Sequence, residues 1–425
     1  MIAHDRQRTP RGLALLFFAF AAATILSGLA APANAQEVSG IYTDASTRDL
    51  GELTGVAAFR GLKVRGWVEG YYAWNAERPD RAAVNAHQES SVVRSRDLTI
   101  EGRTFDVHSG SARLALAEIE IEKVPERGRF GFKLDLAGGD VQDVLHDTIQ
   151  GACPGSVSSD RFWDRNVQHA SLSYLAPLGS GLRVDVGKFV THIGMETIES
   201  IKNRNFSNDW LYTYAIPFED TGLRLNYNFT PKVYGEIYVL KGWNVTYDNN
   251  DRRSYGLSVG FTPSDKVGFT ANYLGGPERN GNDRDRRDLL DLQMTYTLSP
   301  TLQSAVNVDL GRDANAVSSG IHSRDANWGG LALYLRKNIG ERFSPTLRVE
   351  YFSDPQGSAS GLAQHVVDLT WTGDIRIGGK ASLLKLLLRP ELRYDRSDAP
   401  FFTYHDRFRD RKDQLTAALG AVVWF

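Results

Sequence analysis

The chain has 425 residues, with 49 lysines and arginines against 51 acidic residues, for a net charge of −2. That balance leaves no basic footprint for nucleic acid, and 42% apolar residues exclude a disordered chain. A single cysteine, Cys153, rules out intrachain disulfides, four-cysteine zinc sites and cysteine-held iron–sulfur clusters. Only one long apolar run exists, which excludes a polytopic helical membrane protein.

That run lies at the amino end. Arg6, Arg8 and Arg11 precede an apolar stretch from Leu13 to Ala31, and Ala33-Asn34-Ala35 places small residues where a signal peptidase needs them. Residues 1–35 therefore read as a secretory signal cleaved after Ala35. Removing Arg6, Arg8, Arg11 and Asp5 moves the net charge from −2 to −4. Residues 36–61 carry no strand rhythm and are read as an amino-terminal periplasmic or plug segment ahead of the 62–425 region.

From Leu62 the chain alternates. Leu62, Val64, Val68, Tyr72 and Trp74 share one face of an extended segment, and Lys63, Arg65, Glu69 and Tyr71 share the other. A period of two puts such sets on opposite sides of a strand. The pattern recurs, and predicts sixteen strands over 62–74, 113–123, 128–138, 166–177, 180–190, 218–229, 231–241, 253–262, 264–274, 287–298, 300–311, 325–338, 342–353, 364–376, 380–394 and 411–425. A tilted membrane-spanning strand needs roughly 9–11 residues, which these supply. Connections after even strands are short and polar, such as Thr230-Pro231. Those after odd strands are mostly long and charged, as at 139–165, 191–217, 275–286, 312–324 and 395–410. Short turns on one rim and long loops on the other are the signature of an outer-membrane barrel. Aromatics at strand ends fit two interfacial belts: Tyr72, Trp74, Tyr273, Tyr351 and Tyr394 at one rim, Phe130, Tyr174, Phe229, Phe261, Tyr296 and Phe425 at the other. The fold class expected is all-β: a transmembrane antiparallel β-barrel of about sixteen strands.

With the apolar set outward, the charged set faces a lumen too polar to be a dry core, and sixteen strands enclose room for water. Parity assigns Lys63, Arg65, Glu69, Glu118, Glu120, Lys133, Asp135, Arg183, Asp185, Arg224, Arg348, Glu350, Arg389 and Arg393 to the pore lining. The wider parity set balances the two signs, so neither anion nor cation preference follows from it.

One run resembles a known family. Gly187-Lys-Phe-Val-Thr-His-Ile-Gly-Met-Glu196 is followed by Asn205-Phe206, Ala215-Ile-Pro-Phe218, Thr221-Gly222, Gly242-Trp243 and Asp248-Asn-Asn250. Over residues 113–250 the chain resembles the OmpL-like family of outer-membrane β-barrel porins. The resemblance implies a porin and assigns no solute. By similarity to general porins, the third long connection, 191–217, folds into the lumen and narrows it, with His192, Glu196, Glu199, Lys202, Arg204 and Asp209 as constriction candidates. The alternative is a loop packed over the rim. Gly187 and Thr221-Gly222 are read as sites of close backbone packing.

Other motifs weigh less. His169 and Ser171 are similar to the His-x-Ser pair of outer-membrane lipid A deacylases, but the flanking residues are not reproduced and parity turns the pair toward the lumen. The mixed runs Asp283–Asp288 and Arg407–Asp413 read as solvated loop surface, with divalent cations bridging lipopolysaccharide as the alternative. No metal or cofactor is expected, and no enzyme. Expected partners are outer-membrane lipid and lipopolysaccharide, barrel-assembly machinery reading the last strand to Phe425, and small hydrophilic solutes, with a homotrimer left open. The function expected is passive diffusion of such solutes across the outer membrane of a Gram-negative-type bacterium. The alternatives are a channel selective for a carbohydrate or organic acid, and a plugged structural barrel.

Overall fold

The computed structural model describes residues 48–51, 56, 59–79, 99–152, 162–319, 322–378 and 384–425. The signal segment, most of 36–61, and Cys153 lie outside the described residues.

Sixteen strands form one sheet: β1 Lys63–Asn75, β2 Ala112–Lys123, β3 Phe130–Gly138, β4 Val167–Ala176, β5 Leu182–Val190, β6 Glu219–Thr230, β7 Val233–Leu240, β8 Ser254–Ser264, β9 Val267–Arg279, β10 Asn282–Ser299, β11 Leu302–Ser319, β12 His322–Lys337, β13 Phe343–Asp354, β14 Gln364–Ile377, β15 Lys385–Ser397 and β16 Asp413–Trp424. Each pairs antiparallel with its chain neighbours. β16 returns to β1 in a register from Thr416↔Asn75 to Trp424↔Trp67, which closes the sheet. Lipid offers no hydrogen-bond partner to an open edge, and closure removes the edge. Among the described residues no helix is long and apolar enough to cross a membrane; the strands make the crossing.

Side-chain parity follows the sequence. Val68, Tyr72 and Trp74 of β1, Ile119 of β2, Leu172 of β4 and Val186 of β5 are exposed on the outer face, while Trp67, Glu69 and Tyr71 are buried inside. Phe130 and Tyr174 sit opposite each other across β3 and β4, ring centroids 4.9 Å apart, in the aromatic girdle at the short-turn rim. At the same rim the two residues Arg48–Asp49 extend the sheet beside Val64 and Lys63, where β16 has already ended. The Asp49 carboxylate accepts hydrogen bonds from the Gly51 and Gly61 amides at 2.8 and 2.7 Å, pinning this short strand.

The structure corrects two expected loops. Residues 275–279, 282–286, 312–319 and 322–324 continue as strand, so β9–β10 turns at Asn280-Gly281 and β11 runs to Ser319. Beyond the membrane a strand needs no apolar face, so the alternation fades while the pairing continues. Charges across the hairpins replace it: Arg279 and Arg287 both reach Asp313, at 2.9 and 2.8 Å. The run Asp283–Asp288 thus forms part of a paired hairpin rather than a loop.

The connection after β3 holds two helices, α1 Asp140–Ala152 and α2 Phe162–Asn166, tied to β2 by a bidentate Arg113–Asp140 pair at 2.7 Å. Gly187 and Gly222 face each other across β5 and β6. A methyl group at Gly187, where φ is +150°, would lie 2.1 Å from the Ala170 carbonyl oxygen, and one at Gly222 2.1 Å from that of Val239. Both are positions of close backbone approach.

Candidate functional site: the lumen and its folded-in loops

The connection between β5 and β6, residues 191–218, runs inside the barrel. It contains a 3-10 turn, Ser200–Lys202, and one π-helical turn, Leu211–Ala215. Irregular backbone leaves amides and carbonyls unpaired, and buried ones need partners. Here the inward charges of the wall supply them. Glu69 accepts from the Ser200 and Ile201 amides at 3.3 Å, and Glu391 from Phe206 and Ser207 at 2.8 and 3.2 Å. Glu350 accepts from Trp210 and Leu211 at 2.8 and 2.7 Å. Arg389 donates to the Asn203 carbonyl at 2.9 Å, Arg348 to that of Ser207 at 2.7 Å, and Arg393 to that of Asn208 at 2.6 Å. The rim-packed alternative does not describe this loop.

The arginines are themselves paired in the wall. Arg348 holds Glu196 and Asp368 at 3.1 Å, Arg389 holds Asp374 at 2.8 Å, and Arg393 holds Asp395 at 2.9 Å. All three arginines are fully buried. An unpaired charge there would be prohibitive, but a paired and hydrogen-bonded one is tolerated. Parity alone expects these three arginines to line the pore; the folded-in loop seals them against the wall of β13–β15 instead.

A second segment enters, which sequence reasoning missed. Ile100, Phe105 and Val107, in the connection after β1, are buried. Phe105 packs edge-on against Tyr212, centroids 6.1 Å apart, and the Thr104 and Thr213 hydroxyls lie 2.6 Å apart. Arg103 reaches Asp395 and Asp106, each at 3.2 Å. Burial raises the Glu101 carboxyl to about 7, although it accepts the Thr403 amide at 2.6 Å. The available signal was the spacing of apolar residues in Thr99–His108, a stretch otherwise read as a charged loop.

The sequence-predicted residues therefore fall into distinct groups. Glu69, Arg348, Glu350, Arg389 and Arg393 hold the loop and are buried. Glu118, Glu120, Asp135 and Asp185 are buried in the β2–β5 wall. Lys63 is exposed, and Arg65, Lys133, Arg183 and Arg224 are partly exposed, on the inward face of β1, β3, β5 and β6. Glu118, Glu120 and Asp135 bring carboxylate oxygens within 4.8 Å of one another, as a cation site would need. Lys202 and Lys133 lie 3.1 and 3.8 Å from Glu120, and Arg65 also pairs with it, so protein cations occupy that role.

Of the loop candidates, His192 stacks on Tyr238 at 4.0 Å with Asp220 at 3.6 Å. Glu196 accepts from Tyr334 at 3.0 Å and shares Arg348. Burial first, and then the neighbouring Asp209, raise its carboxyl to about 7. Glu199 also meets a burial penalty, but Lys202 at 3.0 Å outweighs it and holds the carboxyl down to about 2. Arg204 lies over the Tyr334 ring at 5.7 Å. His169 Nε2 and Ser171 Oγ are 2.8 Å apart, buried toward the lumen. The other ring nitrogen has no hydrogen-bond partner among the described residues, so no acid orients the pair for nucleophilic chemistry.

A closed sixteen-stranded barrel, apolar outside, with partly exposed cations and a folded-in loop inside, defines an outer-membrane porin channel. The chain belongs to the family described as "Putative beta-barrel porin-2, OmpL-like", whose profile matches residues 61–425. The match extends well beyond the 113–250 region in which the resemblance is visible by eye. A comparison with curated proteins found no match. Among solved structures, the anion-selective porin from Comamonas acidovorans superposes with a TM-score of 0.53 at 10% identity, covering 86% of this chain and 99% of that one. Pseudomonas putida OprB, in its high-pH structure, gives 0.50 at 10% identity, covering 92% and 100%. Salmonella typhi OmpF, in complex with daunomycin, gives 0.50 at 11% identity, covering 86% and 97%. At these identities the likeness is one of fold.

Proposed function

We propose that the channel carries passive diffusion of small hydrophilic solutes across the outer membrane of a Gram-negative-type bacterium, with residues 191–217 as its constriction. The reading is supported above all by the anchoring of that loop inside the lumen. It is fixed to β13–β15 through Arg348, Glu350, Arg389, Glu391 and Arg393, to β1 through Glu69 and to β2 through the Lys202–Glu120 pair, and the wall from β1 to β6 keeps partly exposed inward side chains. Lys63, Arg65, Lys133, Arg183 and Arg224 line the path on that wall. A loop held by its own backbone groups narrows a channel without needing to move during transport.

The apolar exterior fits outer-membrane lipid, with lipopolysaccharide around the long-loop rim. The last strand, ending at Phe425 with its amide donating to the Gly66 carbonyl at 3.1 Å, is the segment offered to barrel-assembly machinery. Liposome swelling tests the transport reading. Vesicles carrying the protein should swell in isotonic solutions of small uncharged sugars at rates that fall steeply with sugar size. Swelling no faster than in protein-free vesicles would refute it.

A further inference from the structure

We propose that the channel selects small anions, such as inorganic phosphate and short carboxylates, because the water-facing ends of its wall's ion pairs are cationic. The inference deepens the porin reading and rests on it. On β3, β5 and β6 the partly exposed inward cations lie over carboxylates that water barely reaches. Arg183 and Arg224 are 26% and 23% exposed, and both hold Asp185, which is 0% exposed, at 2.8 Å. Lys133, 18% exposed, holds Asp135, 2% exposed, at 2.8 Å. Lys202 continues the arrangement from the loop: it is 20% exposed and lies 3.1 Å from Glu120, itself 2% exposed.

The number of charges of each sign does not decide the preference; their order along the line of approach does. A solute in the lumen reaches guanidinium and ammonium groups first, with the carboxylates one ion-pair length behind them. Coulomb energy falls with distance, so the nearer sign dominates at contact. Exposed guanidinium N–H groups also match the oxygen pairs of carboxylates and phosphates. Glu122 and Glu236 interrupt this surface. Glu122 is partly exposed 4.0 Å from Arg183, and Glu236 accepts from Asn226 at 2.7 Å and from Tyr238. On the far side Arg348, Arg389 and Arg393 are sealed beneath the loop, so solutes do not meet them.

The test is the reversal potential of the reconstituted protein in planar bilayers under a gradient of KCl. Chloride should be about threefold or more as permeant as potassium. The triple variant R183Q/D185N/R224Q removes two exposed cations together with the carboxylate they share, leaving no buried charge unpaired. Its selectivity should fall toward parity. The single variant E122Q removes an exposed acid and should raise the chloride preference, and it keeps the proposal testable if the triple variant does not fold. Potassium preference in the wild type, or unchanged selectivity in a folded variant, overturns the proposal and leaves the porin reading standing. Absence of any conductance overturns both.

Discussion

Replacing Arg348 by Met removes the central fastener of the folded-in loop while keeping an unbranched apolar stem. The guanidinium donates to Glu196 at 3.1 Å, to the Ser207 carbonyl at 2.7 Å, to Asp368 at 3.1 Å and to Thr370 at 3.2 Å, and it is fully buried. Truncating one partner of a buried pair costs about 3–5 kcal/mol. Two features reduce that figure here. Asp368 keeps Arg393, and Glu196, already raised to about 7, takes up a proton more readily than an ordinary carboxyl. A net cost near 3 kcal/mol corresponds to roughly a hundredfold increase in local opening. Native-state hydrogen exchange measures that opening directly. The amides of Phe206, Ser207, Trp210 and Leu211, which donate to Glu391 and Glu350, should lose about that factor of protection, while amides of β16 keep theirs. Unchanged protection over 206–211 would refute the assignment of Arg348 as a loop anchor.

The loop's attachment should also depend on pH. Glu196 is raised in the folded state, so its contribution is complete below the ordinary carboxyl range and fades as pH rises through about 7. It faces Asp209, Tyr334 and Arg348, and protection factors over 206–211, taken relative to the intrinsic base-catalysed rate, should therefore fall between pH 5 and 8, an effect that Glu196→Gln flattens. Glu199 acts with the opposite sign: Lys202 depresses it to about 2, so its contribution is full above the ordinary carboxyl range and is lost as pH falls from there through about 2. Phe105→Ala empties a contact with Tyr212 and Phe218 and should lower unfolding stability by about 3 kcal/mol in a urea titration in detergent. Gly222→Val drives a side chain into the Val239 carbonyl 2.1 Å away, and should abolish the heat-modifiable migration of the folded barrel on gels.

The barrel was legible because lipid on one side and charge on the other enforce a strict period of two. The predicted segment 62–74 is β1 at 63–75, and 364–376 is β14 at 364–377. Legibility failed where that physical contrast ends. The outer parts of β9–β12 present no apolar face toward lipid and read as loops. The larger gap concerns the interior. Arg183 and Arg389 are indistinguishable by pattern: each is an inward arginine on an alternating strand, beside an acid. One is partly exposed and the other sealed under Ser200 and Asn203, because a loop far away in sequence lies over Arg389 and not over Arg183. Strand parity places a residue inside the barrel; long-range packing decides whether water reaches it. For the same reason Arg103 and Phe105 were missed, since their burial depends on Asp395 and Tyr212.

The barrel is closed, and its inward side chains are sealed beneath the loop at Arg348, Arg389 and Arg393 but partly exposed at Arg65, Lys133, Arg183 and Arg224. Single-channel recording in planar lipid bilayers shows whether ions pass beside the loop. Discrete, ohmic steps in KCl are the expected result. Bilayers that stay silent with correctly folded protein would contradict a conducting barrel.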